Sequence, residues 1–176
     1  IYFSILFLTL GLDQAYVREY HSQLDKVSLF KTSILPGFFC FLIISSLILI
    51  SQWSLAFTLF NYDSTLLAFY LISAIILNFM IRYLSLILRM EEKGLIYSLC
   101  QLLPKVVFLL ILISFYLFKI DLNFELLILA NLVSTLFVFL ISAYYTKNTW
   151  LSWNEGIVEQ RKLKGMLNYS FPLLAS

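Results

Sequence analysis

The chain is 176 residues long, 61% hydrophobic and only 12% charged, with a formal net charge of +2. Twelve basic and ten acidic residues are too few to give a water-soluble domain of this length its charged surface. Five glycines and three prolines exclude a collagen-like or low-complexity chain, which leaves a polytopic, all-α transmembrane helix bundle.

In chain order, Ile1–Leu12 is apolar and reads as a truncated span, because it lacks the basic lead and small-residue cleavage site of a signal peptide. Asp13–Ser33 is a polar connector. On a helical wheel Tyr16, Val17, Tyr20, Leu24, Val27 and Phe30 share one arc, opposite Arg18, His21, Ser22 and Asp25. That pattern predicts one amphipathic helix lying among the lipid headgroups. Four complete spans follow over Ile34–Phe57, Thr65–Leu88, Leu95–Phe118 and Leu126–Tyr145, each long enough for a hydrocarbon core of about 30 Å. Met166–Ser176 begins another apolar helix, so the chain reads as part of something longer.

The loops carry an orientation. Arg18, Lys26, Lys31, Arg89, Lys93, Lys147, Arg161, Lys162 and Lys164 lie in Asp13–Ser33, Arg89–Gly94 and Lys147–Gly165. The alternate loops, Thr58–Ser64 and Lys119–Glu125, contain only Lys119. By the positive-inside rule the three basic segments are cytoplasmic.

The remaining two cations lie within spans, where ionisable groups usually face a protein interior or a hydrated cavity. Asn78, Arg82, Ser85 and Arg89 share one face of the second complete span. Ser98, Gln101 and Lys105 share a face of the third, beside Pro104, and the fourth adds Asn131, Thr135 and Ser142. Arg82 is about seven residues, or roughly 10 Å, from the cytoplasmic end. It is either a cavity residue or an anchor snorkelling to the headgroups. Lys105 is about ten residues, or roughly 15 Å, from that end. For it the choice is between a cavity cation and an internal hydrogen-bond staple.

All ten acids fall in loops or at span ends, so the expected cavity is cationic and free of buried acids. It suits phosphate or diphosphate, whose oxygens take charge-assisted bonds from guanidinium and ammonium groups. His21 is the sole histidine and has no second ligand at metal spacing. Cys40 and Cys100 sit in apolar spans as small hydrophobes. No catalytic residue, metal or cofactor is expected.

"GLDQAYVREYH" with the amphipathic stretch and "LPGF" after it, "ILRMEEKGLIYSLCQLLPKV" and "KGMLNYSFPLLAS" resemble, in this order, segments of the polysaccharide flippases that export O-antigen and capsule repeat units. These belong to the multidrug, oligosaccharidyl-lipid and polysaccharide exporter superfamily. The resemblance implies a fold of two six-helix bundles related as a parallel repeat. Residues 1–165 would hold helices two to six of the first bundle, and 166–176 the start of the second. It also implies flipping of an undecaprenyl-diphosphate-linked oligosaccharide across a bacterial inner membrane by alternating access.

Arg82, Lys105, Asn78 and Gln101 would then line the diphosphate site. Asp13, Arg18, Glu19 and Arg89 would form its cytoplasmic mouth or gate; the plainer reading of the first three is a membrane-surface linker. The expected partners are the lipid-linked oligosaccharide and membrane lipids, with H+ or Na+ as candidate coupling ions and polysaccharide assembly proteins as candidate neighbours. Nucleic acid is not expected. Three alternatives belong to other classes: a cation-coupled antiporter, which would want an acid inside the bundle; a membrane-embedded glycan polymerase or ligase, which would want a sizeable outer loop; and a purely structural subunit.

The orientation is testable. In a background without Cys40 and Cys100, Asn123→Cys should react with an impermeant thiol reagent added outside the cell, and Asn154→Cys should not. The opposite labelling pattern would invert the topology.

Overall fold

The structure is a computed structural model and describes residues 8–9, 11–50, 65–119, 121, 123–152, 156 and 160–174. The outer loop expected at Thr58–Ser64, most of Ile1–Leu12 and the far end of the first complete span lie outside these residues. So do the last two residues of Met166–Ser176. Seven helices are described: α1 (Leu12–Glu19), α2 (Lys26–Ile50), α3 (Thr65–Met90), α4 (Gly94–Leu117), α5 (Phe124–Tyr145), α6 (Lys147–Leu151) and α7 (Gln160–Leu174). Of these, α2, α3, α4 and α5 are long and apolar enough to cross a membrane. The protein is a membrane helix bundle.

The connector departs from the expected single helix. α1 ends at Glu19 and the chain turns through Tyr20–Asp25 before α2 begins. Asp25 causes the restart: its Oδ1 accepts the backbone N–H groups of Val27 at 3.1 Å and Ser28 at 3.0 Å, the bonds of an N-cap. α2 therefore starts eight residues before the expected Ile34. Its polar first turns are tolerated because Ser28, Thr32 and Ser33 are buried against protein. The Thr32 and Ser33 hydroxyls donate to carbonyls one turn back, at 2.8 and 2.7 Å.

The aromatic arc is also covered differently from the expectation. Tyr16, Tyr20 and Phe30 join Phe79 and Tyr83 in the main core rather than lying among headgroups. The rings of Phe30 and Tyr83 meet edge-on at 6.4 Å and those of Phe79 and Tyr83 at 5.2 Å, the geometry aromatic pairs prefer. The Tyr83 hydroxyl donates to the Ser33 carbonyl at 3.0 Å, joining α3 to α2. Leu24, at the turn, is fully exposed.

α3 packs on α5, and α5 on α4, while α1 is held between α2, α3 and α7. α3 stops in a Schellman motif. The Lys93 N–H donates to the Leu88 carbonyl at 3.0 Å and the Glu92 N–H to Arg89 at 3.3 Å, with Glu92 left-handed at φ 58°. The turn is then tied to α5 and α6. Glu91 pairs with Lys93 at 2.7 Å, Lys93 donates to the Tyr145 carbonyl at 3.2 Å, and Thr149 donates to Glu91 at 3.1 Å. Lys31 of α2 donates to the Gly156 carbonyl at 3.0 Å. The three basic segments are thus gathered at one end of the bundle.

Gly37, directly after Pro36 in α2, is a point of closest approach. A Cβ there would run into the Leu8 carbonyl oxygen and lie 2.8 and 2.9 Å from Phe79 ring carbons of α3. Gly37→Ala should therefore lower the melting temperature of the detergent-purified protein, at a cost of about 1–3 kcal/mol from overpacking. Gly94→Ala, with nothing within 4 Å of its added Cβ, should leave it unchanged; equal effects would show that Gly37 is not a packing notch.

Candidate functional site

A cavity of about 1000 Å³ opens between α1, α3, α4, α5 and α7. From α3 it receives Asn78, Arg82, Ser85 and Arg89, at the helical spacing that sets them on one face. From α4 it receives Tyr97, Gln101, Pro104, Lys105 and Phe108, from α5 Asn131 and Thr135, from α1 Asp13 and Arg18, and from α7 Tyr169. Seven of the eight residues singled out by sequence therefore meet here. Glu19 does not: it ends α1 outside the cavity wall, its carbonyl accepting the Ser22 hydroxyl at 2.9 Å. Ser98 and Ser142, placed on the polar faces by sequence, are also absent from the wall. Each donates to a carbonyl of its own helix, Gly94 at 2.9 Å and Phe139 at 3.0 Å.

The expectation of an acid-free cavity is corrected by Asp13. Its carboxylate, 7% exposed, accepts both Nε–H and Nη2–H of Arg82 on the single oxygen Oδ2, the Nε bond being 2.9 Å long. Oδ1 accepts the Gln14 backbone N–H at 3.0 Å. α1 places Asp13 in its first turn, just after Gly11, whose φ of 67° turns the chain into the helix. There the carboxylate reaches a cation on α3 that is 69 residues away in sequence. Arg82 is accordingly a paired cation rather than one extended alone towards the headgroups.

The other cations differ. Arg18 lies over the Tyr169 ring at 4.3 Å, a cation–π contact that ties α1 to α7. Ser170 adds a hydrogen bond from its hydroxyl to the Gly11 carbonyl at 3.0 Å. Lys105 and Arg89 line the cavity with exposed side chains and no carboxylate partner among the described residues. Lys105 is about eleven residues into α4, roughly 16 Å along its axis. Asn78 spends one amide N–H on the Ala74 carbonyl at 2.8 Å. The Ser85 hydroxyl is buried with no hydrogen-bond partner among the described residues, an unmet polar demand at the cavity wall. Four cations against one carboxylate give the lining a formal charge of +3.

Sequence reasoning missed the aromatic part of the wall. Tyr97 and Phe108 continue the stripe of Gln101 and Lys105 at helical spacing. They were legible as a face of α4, had rings been counted together with polar groups. Tyr169 carried no such signal.

A family model described as "Polysaccharide biosynthesis protein" matches residues 1–176. The chain belongs to that family. No curated protein and no solved structure matches it. A cationic cavity walled by aromatic rings is thus a feature of a membrane protein of polysaccharide biosynthesis.

The ion pair gives a test of this geometry. Arg82→Gln leaves the Asp13 carboxylate buried without its counter-ion and should cost roughly 2–3 kcal/mol. Asp13→Asn together with Arg82→Gln should cost clearly less than the sum of the two single changes, read from melting curves at matched detergent. Strict additivity would mean the two side chains do not interact.

Proposed function

We propose that the chain is part of a flippase that moves an undecaprenyl-diphosphate-linked oligosaccharide across the bacterial inner membrane by alternating access. The observation that carries this reading is the cavity itself: Lys105, Arg82, Arg89 and Arg18 face one space together with Tyr97, Phe108 and Tyr169. Cations bind phosphate oxygens by charge-assisted hydrogen bonds. Aromatic walls with a few placed polar groups are the ordinary lining of a binding pocket, and about 1000 Å³ is the top of the usual range of 300–1000 Å³. The exposed apolar side of α4, with Leu95, Leu99, Leu102, Val106 and Leu109 outward, leaves the polyprenyl tail in lipid while the headgroup travels in the cavity. The protein binds and releases; no bond is made or broken. The basic end of the bundle faces the cytoplasm and receives the substrate.

A second reading draws on Asp13. An acid inside the bundle is what a cation-coupled antiporter requires, and Asp13 is one. Its carboxylate is already committed to Arg82, and the remaining cavity charge is positive, so an anionic cargo fits the lining better.

The test is complementation of a flippase-null strain, scored by surface polysaccharide at matched protein abundance. Lys105→Arg keeps a cation and should retain much of the polysaccharide. Lys105→Gln should lose it by roughly tenfold or more, since a hydrogen bond to a charged group contributes about 1.5–3 kcal/mol. Lys105→Glu should be worse. Full activity of Lys105→Gln would sink the diphosphate assignment.

A further inference from the structure

Arg82 is the one cavity cation with a carboxylate partner among the described residues. The pair is asymmetric. Asp13 stands behind, with 7% of its side chain exposed, and Arg82 stands in front with 39% exposed. An anion entering the cavity therefore meets a neutral pair at this point, not a free guanidinium. Two of Arg82's five N–H donors are taken, both by the same carboxylate oxygen.

To take Arg82 fully, an incoming anion has to replace bonds that are already charge-assisted. At Arg82 a monoanion exchanges one negative charge for another and gains nothing there. A multiply charged anion gains, because the charges it does not spend on Arg82 are met by Lys105 and Arg89 in the same cavity. The Ser85 hydroxyl, 5% exposed and unpartnered one turn along α3 from Arg82, supplies a further polar group at the same wall.

We propose that Asp13 is a specificity-determining residue: a built-in competitor that sets a charge threshold at Arg82, which di- and polyanionic phosphate passes and monoanions do not. The proposal rests on the diphosphate reading of the cavity and adds how that site discriminates. Asp13 acts through Arg82, so its signature is a change in selectivity and not merely a loss of binding.

The experiment titrates inorganic pyrophosphate and acetate into the protein reconstituted in neutral phosphatidylcholine nanodiscs, followed by calorimetry. The wild type should bind pyrophosphate much more tightly than acetate. Asp13→Asn should strengthen acetate binding by roughly tenfold, the scale of close charge-pair couplings, and pyrophosphate binding by less, so the ratio narrows. Asp13→Glu, which restores a carboxylate, should bring the ratio back towards the wild type. Should Asp13→Asn fail to fold, Asp13→Ser removes the same charge and carries the same expectation. A ratio unchanged by charge removal, or equal weakening of both anions as expected if Asp13 merely aims Arg82, would overturn the proposal while leaving the diphosphate site in place. Absence of pyrophosphate binding in the wild type would remove both. A narrowed ratio in a protein whose Lys105→Gln variant keeps full polysaccharide export would preserve the threshold at Arg82 and remove Lys105 from the diphosphate site.

Discussion

A guanidinium inside an apolar bundle has to be met by water or by a counter-charge, and at Arg82 it is met by Asp13. Much of the structure is arranged around that pair. Asp13 has to come from α1, and α1 has to be pressed against α3, which the aromatic packing of Tyr16, Phe30, Phe79 and Tyr83 achieves. The energetic sign is not given by the pair alone. Desolvating two ions costs about as much as their attraction returns, whereas losing one partner leaves a buried charge and is strongly unfavourable. The pair is thus better understood as fixing where α1 sits than as a source of net stability.

The position of α1 is fixed from its other side by α7. The Ser170 hydroxyl bonds the Gly11 carbonyl, and a Cβ at Gly11 would lie 3.1 Å from that of Ser170. Arg18 over Tyr169 adds a second contact one to two turns further along. Gly11 stands two residues before Asp13, so the helix that contributes Tyr169 to the cavity is also joined to the backbone carrying the carboxylate. At the basic end the ties are denser, with Glu91, Lys93, Tyr145 and Thr149 linked in one polar cluster. The α3–α4 turn and the α5–α6 corner are held together there.

Much of this was legible in the sequence, and the reasons are local. Four spans followed from apolar length, and the polar face of α3 from spacing alone, because a regular helix converts spacing into direction. The start of α2 was misread because hydropathy sees Ser28, Thr32 and Ser33 as polar. It does not see that their hydroxyls are satisfied by the helix or that their surface is covered by protein. The Asp25 cap was visible in the sequence and would have placed that start. The aromatic arc of the connector was correctly read as apolar, but an amphipathic pattern does not say whether lipid or protein covers it. The Asp13–Arg82 pairing had no local signal at all: a contact across 69 residues is a property of the packed bundle.

The helices of the bundle are longer than the layer they cross. At 1.5 Å per residue, α3 and α4, with 26 and 24 residues, span roughly 36–39 Å against about 30 Å of hydrocarbon. The excess has to be absorbed by tilt or by protrusion. α4 has Lys105 near its middle, so tilting leaves that ammonium near the centre of the layer, and the thickness of the layer sets how far it stands from water. Bilayer thickness therefore enters the electrostatics of the cavity through geometry alone, and a thinner membrane brings the same charge closer to water.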